Sequence, residues 1–187
     1  FSSPQHCQLP VRALTVSSLM PIANGKIVEI GYVVDDLDDA IRFFSTTMAA
    51  GPFTVFEHVK MQGALYRGTP TDVDIDIALG ASGGVVLELI RQRNAAPSPF
   101  HRSTSGVAFA PNHWSVFTHD FDGELQRYMD RGFEAVFYAE FVEEGTAEVA
   151  RVVYLDTMQQ AGTYLELMES DPPILLDLYR GIVGTVR

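Results

Sequence analysis

Apolar and polar positions along the chain change period in a regular way. KIVEIGYVV (26–34) is rich in β-branched and aromatic residues and predicts a strand. It runs into Asp35-Asp36-Leu37-Asp38, where an aspartate can cap a helix. Leu37, Ala40, Ile41, Phe44 and Met48 then recur at helical spacing and give one apolar stripe, which Gly51-Pro52 ends. Three further strands are predicted at FTVFEHV (53–59), DVDIDIAL (72–79) and GVVLELI (84–90), completing a β-α-β-β-β unit.

The same order recurs downstream. NHWSVFT (112–118) reads as a strand, and His119-Asp120-Phe121-Asp122 leads into a helix whose stripe is Phe121, Leu125, Tyr128 and Met129. Gly132 stops it, and strands follow at FEAVFYA (133–139), AEVARVVYL (147–155) and GTYLELM (162–168). Aligning Glu29 with His113 places Asp36 on Asp120, Leu37 on Phe121 and Ile41 on Leu125, while VVLELI (85–90) lies over TYLELM (163–168). Such self-similarity points to duplication of one supersecondary unit. The expected organisation is a domain over 26–169, with modules of about 26–91 and 112–169 joined by the Pro/Ser/Ala-rich linker 92–111. Residues 1–25 are expected to form an arm lying on the domain. In the tail, 170–187, Asp171 and Pro172 start a helix whose apolar side is Ile174, Leu175, Leu178 and Ile182. That side could dock on the body or on a second subunit.

Strand side chains alternate between faces. Ile30, Tyr32 and Val34 share one face of the first strand and Glu29, Gly31 and Val33 the other. Val85, Leu87 and Leu89 are likewise separated from Val86, Glu88 and Ile90. Trp114, Val116 and Thr118 are separated from His113, Ser115 and Phe117, and Thr163, Leu165 and Leu167 from Tyr164, Glu166 and Met168. In each strand the apolar set fits beneath a helix, so the opposite face carries the ionisable residue. Glu29, Glu88, His113 and Glu166 thereby occupy equivalent repeat positions. An isolated acidic residue on a strand ordinarily faces solvent; four in register point to a site. Three carboxylates buried together repel one another unless protonated or offset by a cation, and one divalent ion is the economical solution. Mn, Fe, Co, Ni, Zn and Mg all suit one imidazole with up to three carboxylates. His119 lies about 20 Å from His113 at strand rise, too far to share an ion. His58 and His101 read as surface or loop histidines.

Composition narrows the partners. The 187 residues include 24 acidic and 13 basic side chains, a net charge of −11 and one cysteine. That balance argues against a nucleic-acid backbone or an anionic membrane surface, which need clustered Lys and Arg. With no run of about 18 apolar residues, no membrane-spanning segment is expected. Segment 9–22 lacks the basic region and long apolar run of a secretory signal. The lone Cys7 excludes an internal disulfide framework, so a reducing, cytoplasmic setting is expected.

At these residues the chain resembles the vicinal oxygen chelate superfamily of glyoxalases, methylmalonyl-CoA epimerase, extradiol dioxygenases and bleomycin-resistance proteins. The resemblance covers about residues 26–169 and rests on EIGYVVDDLDDAIRFF, GPFTVFEHV, VVLELI, NHWSVFTHDFD and YLDTMQQAGTYLELME. GPFTVFEHV and LYRGTPTDVDIDIAL look most like the epimerase-like glyoxalase branch. It implies an α+β fold in which two paired βαβββ modules form an incomplete, barrel-like cup with a metal at its floor. Carried over by position, the implied ligands are Glu29, Glu88, His113 and Glu166. Glu29 departs from the histidine usual there; it could ligate, act as a base, or mark a branch without the metal. The implied chemistry is that of an enzyme: abstraction of a proton next to a carbonyl of a small oxygen-rich substrate, as in an isomerase, epimerase or lyase, with Glu29, Glu88 and Glu166 as candidate bases. A ring-cleaving dioxygenase fits less well, because such iron sites use two histidines and one carboxylate. A metal-free binding or sequestering protein with the same cup is the alternative from another class. Tyr66, Phe100 and Tyr164 are candidate aromatic walls. Trp114 is a fourth, although its strand face assigns it to the core. Arg67, Arg91 and Arg102 could hold a substrate anion, but a bulky CoA ester would call for more basic residues than the chain has. The family often forms homodimers.

Overall fold

The computed structural model of the protein describes residues 26–59, 61–101, 108–142, 145 and 147–184. The expected N-terminal arm, Arg102 and Cys7 lie outside these residues. The element order is β1 (Glu29–Val34), α1 (Leu37–Met48), β2 (Phe53–Phe56), β3 (Gln62–Tyr66), β4 (Thr69–Pro70), β5 (Ile75–Ser82), β6 (Val85–Gln92), β7 (Phe109–Thr118), α2 (Phe121–Asp130), β8 (Ala135–Val142), β9 (Val149–Leu155), α3 (Met158–Ala161), β10 (Tyr164–Glu169) and α4 (Ile174–Gly184).

All ten strands form one sheet in the order β2-β5-β6-β1-β7-β10-β9-β8-β3-β4, open at both ends. β1 runs parallel to β6, β7 runs parallel to β10, and β1 and β7 meet antiparallel at the centre. The two halves are thus related by an approximate two-fold through the β1–β7 seam. The β3–β4 hairpin breaks that symmetry: it leaves the first half and adds to the edge strand of the second, with Tyr66 opposite Phe137.

Asp36 and Asp120 cap α1 and α2 as expected, accepting hydrogen bonds from the Asp39 and Gly123 amides at 2.9 and 3.2 Å. The two helices cover the convex face, α1 through Leu37, Ala40 and Phe44 and α2 through Phe121 and Tyr128. Beneath them lie Leu87 and Leu89 in one half and Val116, Val153 and Leu167 in the other. Trp114 is the exception among the residues assigned to that face. It is 36% exposed and lies opposite Ile30 on the seam, outside both helix-covered clusters. The concave face holds the largest cluster, into which α4 inserts Leu175, Tyr179 and Ile182. The tail's apolar side is thus spent on its own domain.

Among the described residues, Asp76 is a buried carboxylate away from the floor of the cup. Asp76, 2% exposed, accepts the His58 amide at 3.0 Å and an Arg93 guanidinium N–H at 2.6 Å. Burial pushes its carboxyl up, but these two donors outweigh burial and hold it below the usual carboxylate value. A depressed value stabilises the fold above the unfolded-state pKa of about 3.9, and the contribution disappears as pH falls through the folded-state value. Asp76→Asn is expected to cost about 1–3 kcal/mol at pH 7 by denaturant unfolding, with the gap from wild type closing in strong acid.

Candidate metal centre

The four central strands β6, β1, β7 and β10 place two rows of residues across the concave face. One row is Glu88, Gly31, His113 and Tyr164; the next is Val86, Glu29, Ser115 and Glu166. Gly31 is the key to their assembly. A Cβ built there would lie 1.9 Å from His113 Cε1, so the missing side chain leaves room for the imidazole to lie over β1. His113 Nε2 then reaches Glu29 Oε1 at 3.2 Å, Glu88 Oε2 at 3.3 Å and Glu166 Oε2 at 3.7 Å. The four residues singled out from the repeat therefore converge. Glu29 and His113 are fully buried, and the Glu88 and Glu166 side chains are 12% and 7% exposed.

The imidazole is oriented from behind. Asn112 Nδ2 donates to the Pro99 carbonyl at 2.9 Å, which turns Asn112 Oδ1 towards His113 Nδ1 at 3.0 Å. Nδ1 thus carries a proton and donates it to Asn112, and Nε2 faces the carboxylates. Asn112 can do this because the β1–β7 register slips between Gly31 and Tyr32, so that Tyr32 pairs with Pro111 and Asn112 is left as the extra residue. Two hydroxyls complete the cluster. Ser115 Oγ lies 2.7 Å from Glu29 Oε1 and 2.5 Å from Glu166 Oε2, and the Tyr179 hydroxyl from α4 donates to Glu29 Oε2. One Ser115 proton cannot serve both carboxylates, so the second contact needs a proton on a carboxyl group or a cation in the cluster.

The electrostatics agree. Burial drives Glu88 above the ordinary carboxylate range, and the neighbouring Glu29 pushes the same way. Burial drives Glu166 up as well. For His113 burial acts downwards, but hydrogen bonds to Glu29 and Glu88 outweigh it and hold the imidazole above its usual value. Burial raises Tyr154 and Tyr179 well above the ordinary phenol value, so both hydroxyls keep their protons at neutral pH.

The donor set fits a divalent ion. Glu29, Glu88 and His113 each offer a ligand atom within 4.8 Å of the others. Ligands about 2.1 Å from a metal lie roughly 3.0–3.4 Å apart in octahedral or tetrahedral geometry, close to the spacing around Nε2. A 2+ charge would also offset carboxylates that otherwise need extra protons.

A cavity of about 350 Å³ opens above this floor, with Glu88, Glu166, Tyr154 and Tyr179 among its lining residues. Glu29 and His113 are not among them: both are fully buried, and Tyr179, which does line the cavity, hydrogen-bonds Glu29. Of the four residues expected to bind substrate, Tyr66, Arg67, Phe100 and Tyr164, Phe100 lines the cavity, packed edge-on against Phe137 and Tyr154. The other three are corrected: Tyr66, Arg67 and Tyr164 do not line it. Arg67 follows β3 in a tight turn at φ 48° and pairs with Glu134 at 3.4 Å and Asp156 at 3.6 Å. Arg91 is exposed on β6. His58, read as a surface residue, is exposed at the cavity mouth, its Nδ1 3.0 Å from Asp74. His119 hydrogen-bonds Ser170 at 2.7 Å and takes no part in the centre.

No curated protein matches the chain. Among solved structures it is similar to a hypothetical protein from Bacillus halodurans C-125, at 17% identity and a TM-score of 0.49, over 78% of this chain and 94% of that one. It is also similar to methylmalonyl-CoA epimerase from Mycobacterium tuberculosis, at 16% identity and a TM-score of 0.48, over 80% and 91% of the two chains. A Streptomyces coelicolor methylmalonyl-CoA epimerase variant in complex with 2-nitronate-propionyl-CoA matches at 20% identity and a TM-score of 0.45, over 77% and 96%. A family model matches residues 29–154, a span that takes in three of the four converging side chains. On that match the chain belongs to the glyoxalase/bleomycin resistance protein/dioxygenase superfamily.

Proposed function

We propose that the protein is a divalent-metal-dependent enzyme that moves a proton next to a carbonyl of a small oxygen-rich substrate, as an isomerase, epimerase or lyase. The observation that carries this reading is that Glu88 and Glu166 line a largely apolar cavity, with the buried His113 imidazole 3.3 and 3.7 Å from their carboxylates. His113, Glu29, Glu88 and Glu166 would hold the ion, which when bound supplies positive charge for a substrate oxygen that becomes anionic in the transition state.

The chain's own groups divide the remaining work. Glu88 and Glu166 reach the cavity from β6 and β10, on opposite sides of the β1–β7 seam. A substrate carbon between them can lose a proton to one carboxylate and regain one from the other, which epimerisation requires; loss of a leaving group instead gives elimination. Ser115 lies against Glu166 and His113 against Glu88, so each carboxylate has one neighbour that orients it. The apolar walls limit water and keep both carboxyls basic enough for the task. Glu29, shut behind Tyr179, is a ligand in this account and not a base. Glu29→Gln is accordingly expected to weaken divalent-ion affinity by about 10–100-fold, with turnover recovering at saturating metal. Turnover lost at full metal occupancy would make Glu29 the base.

A second reading has one observation in its favour: Ser115, Tyr179 and His113 already give the carboxylates hydrogen-bonding partners, as a metal-free binding protein would need. Elemental analysis of protein purified without chelators separates the two. The enzyme reading expects close to one divalent ion per chain and metal-dependent exchange of substrate C–H for deuterium. No ion, and none taken up on titration, would favour the binding protein.

A further inference from the structure

Helix α4 lies beyond residues 29–154, the span shared with the superfamily model. It nevertheless packs on strands of both halves, β5 and β6 on one side and β9 on the other. Leu175, Leu178 and Tyr179 form one wall of the cavity. Tyr179 reaches the floor, where its hydroxyl meets Glu29 and its ring sits edge-on to Phe117 at 5.4 Å. The helix thus fills the middle of the cup and leaves about 350 Å³, near the lower end of the roughly 300–1,000 Å³ found for ligand cavities. The mouth adds a second restriction. Glu57 and the His58–Asp74 pair stand there, and no Lys or Arg is found among the described lining residues.

From this arrangement we propose that α4 is the specificity wall of the site, selecting a compact carbon acid with a short apolar substituent and rejecting the same acyl group on a long, phosphate-bearing carrier such as coenzyme A. The proposal rests on the enzymatic reading above. The oxygen-rich head of the substrate meets Glu88 and Glu166, and the substituent meets Leu175 and Leu178. A longer tail would have to displace α4 or leave past acidic groups that repel its phosphates.

Two probes share a 3-oxo thioester head and differ only in the tail: S-methyl acetothioacetate and acetoacetyl-CoA. Calorimetric titration of the full chain loaded with Mn²⁺ is expected to show the methyl thioester binding at least about ten-fold more tightly than the CoA ester. Leu178→Ala, which opens the wall without touching the floor, is expected to narrow that ratio, and Leu178→Phe to weaken both probes. Ile182→Val controls for the seating of the helix, since Ile182, on α4, is buried without lining the cavity, and should keep the ratio. Equal or tighter binding of the CoA ester to wild type would overturn the proposal, as would failure of both probes to bind or a ratio indifferent to Leu178. Deuterium exchange at the probe's C2, followed separately by NMR, tells the two readings apart. A retained size preference without exchange would leave the wall standing and remove the proposed catalysis.

Discussion

Gly31→Ala is expected to abolish divalent-ion binding and to destabilise the fold by about 1–3 kcal/mol or somewhat more. The new Cβ would sit 1.9 Å from His113 Cε1 and 2.4 Å from Nδ1, so either the imidazole or the backbone must move. The ring has no easy retreat. Its Nδ1 is tied to Asn112, its face is packed edge-on by Tyr154 at 4.9 Å, and β1 is paired on both sides. Swinging the ring away would take Nε2 from Glu88 and leave three carboxylates without their shared partner. Moving β1 would open the seam that joins the halves. Gly84 is the control: a Cβ there meets nothing within 4 Å, and Gly84→Ala should leave both metal affinity and stability close to wild type. Metal titration with denaturant unfolding on the two variants checks this, and a Gly31→Ala protein with unchanged affinity would refute the packing argument.

His113→Ala is expected to have the largest effect on activity. It removes the one nitrogen donor and leaves Asn112 Oδ1, Glu29, Glu88 and Glu166 facing a hole. Removing one partner from a buried charged cluster costs about 3–5 kcal/mol, so the variant should melt earlier yet fold, because the convex clusters under α1 and α2 are untouched. Turnover should vanish at every metal concentration, in contrast to Glu29→Gln. Glu166→Gln should also abolish turnover with the fold retained and a smaller loss of stability, since the amide still fits beside Ser115. Circular dichroism with metal-dependent deuterium exchange distinguishes these outcomes.

The repeat makes the floor of the cup legible in the sequence. Period-two alternation in four strands fixes which side chains share a face, and the two copies bring Glu88 and His113 to one row and Glu29 and Glu166 to the next. Gly31 stood on that same face, but its importance depends on the cross-strand register that sets it against His113, which no local pattern encodes. Asn112 was hidden for a related reason: the bulge beside Pro111 moves it next to His113, and only the proline in the strand hinted at a break in alternation. Tyr179 lies between Leu175 and Ile182 on the same helical stripe, so its burial could be read from spacing. Its contact with Glu29, 150 residues away, could not. The expected substrate contacts Tyr66 and Arg67 lie off the cavity because the chain crosses between halves. The β3–β4 hairpin pairs with β8, and that long-range pairing carries Tyr66 and Arg67 to the far edge of the sheet. Phe100 reached the cavity because Ser98 and Asn112 hold its loop against the cup.

Diffraction data collected at the absorption edge of Mn on crystals reconstituted with that ion test the metal centre most directly. One anomalous peak per chain is expected, within about 2.3 Å of His113 Nε2 and bonded to oxygens of Glu88 and its fellow carboxylates. An empty floor in metal-soaked crystals, with His113 Nε2 still hydrogen-bonded straight to glutamate, would contradict it.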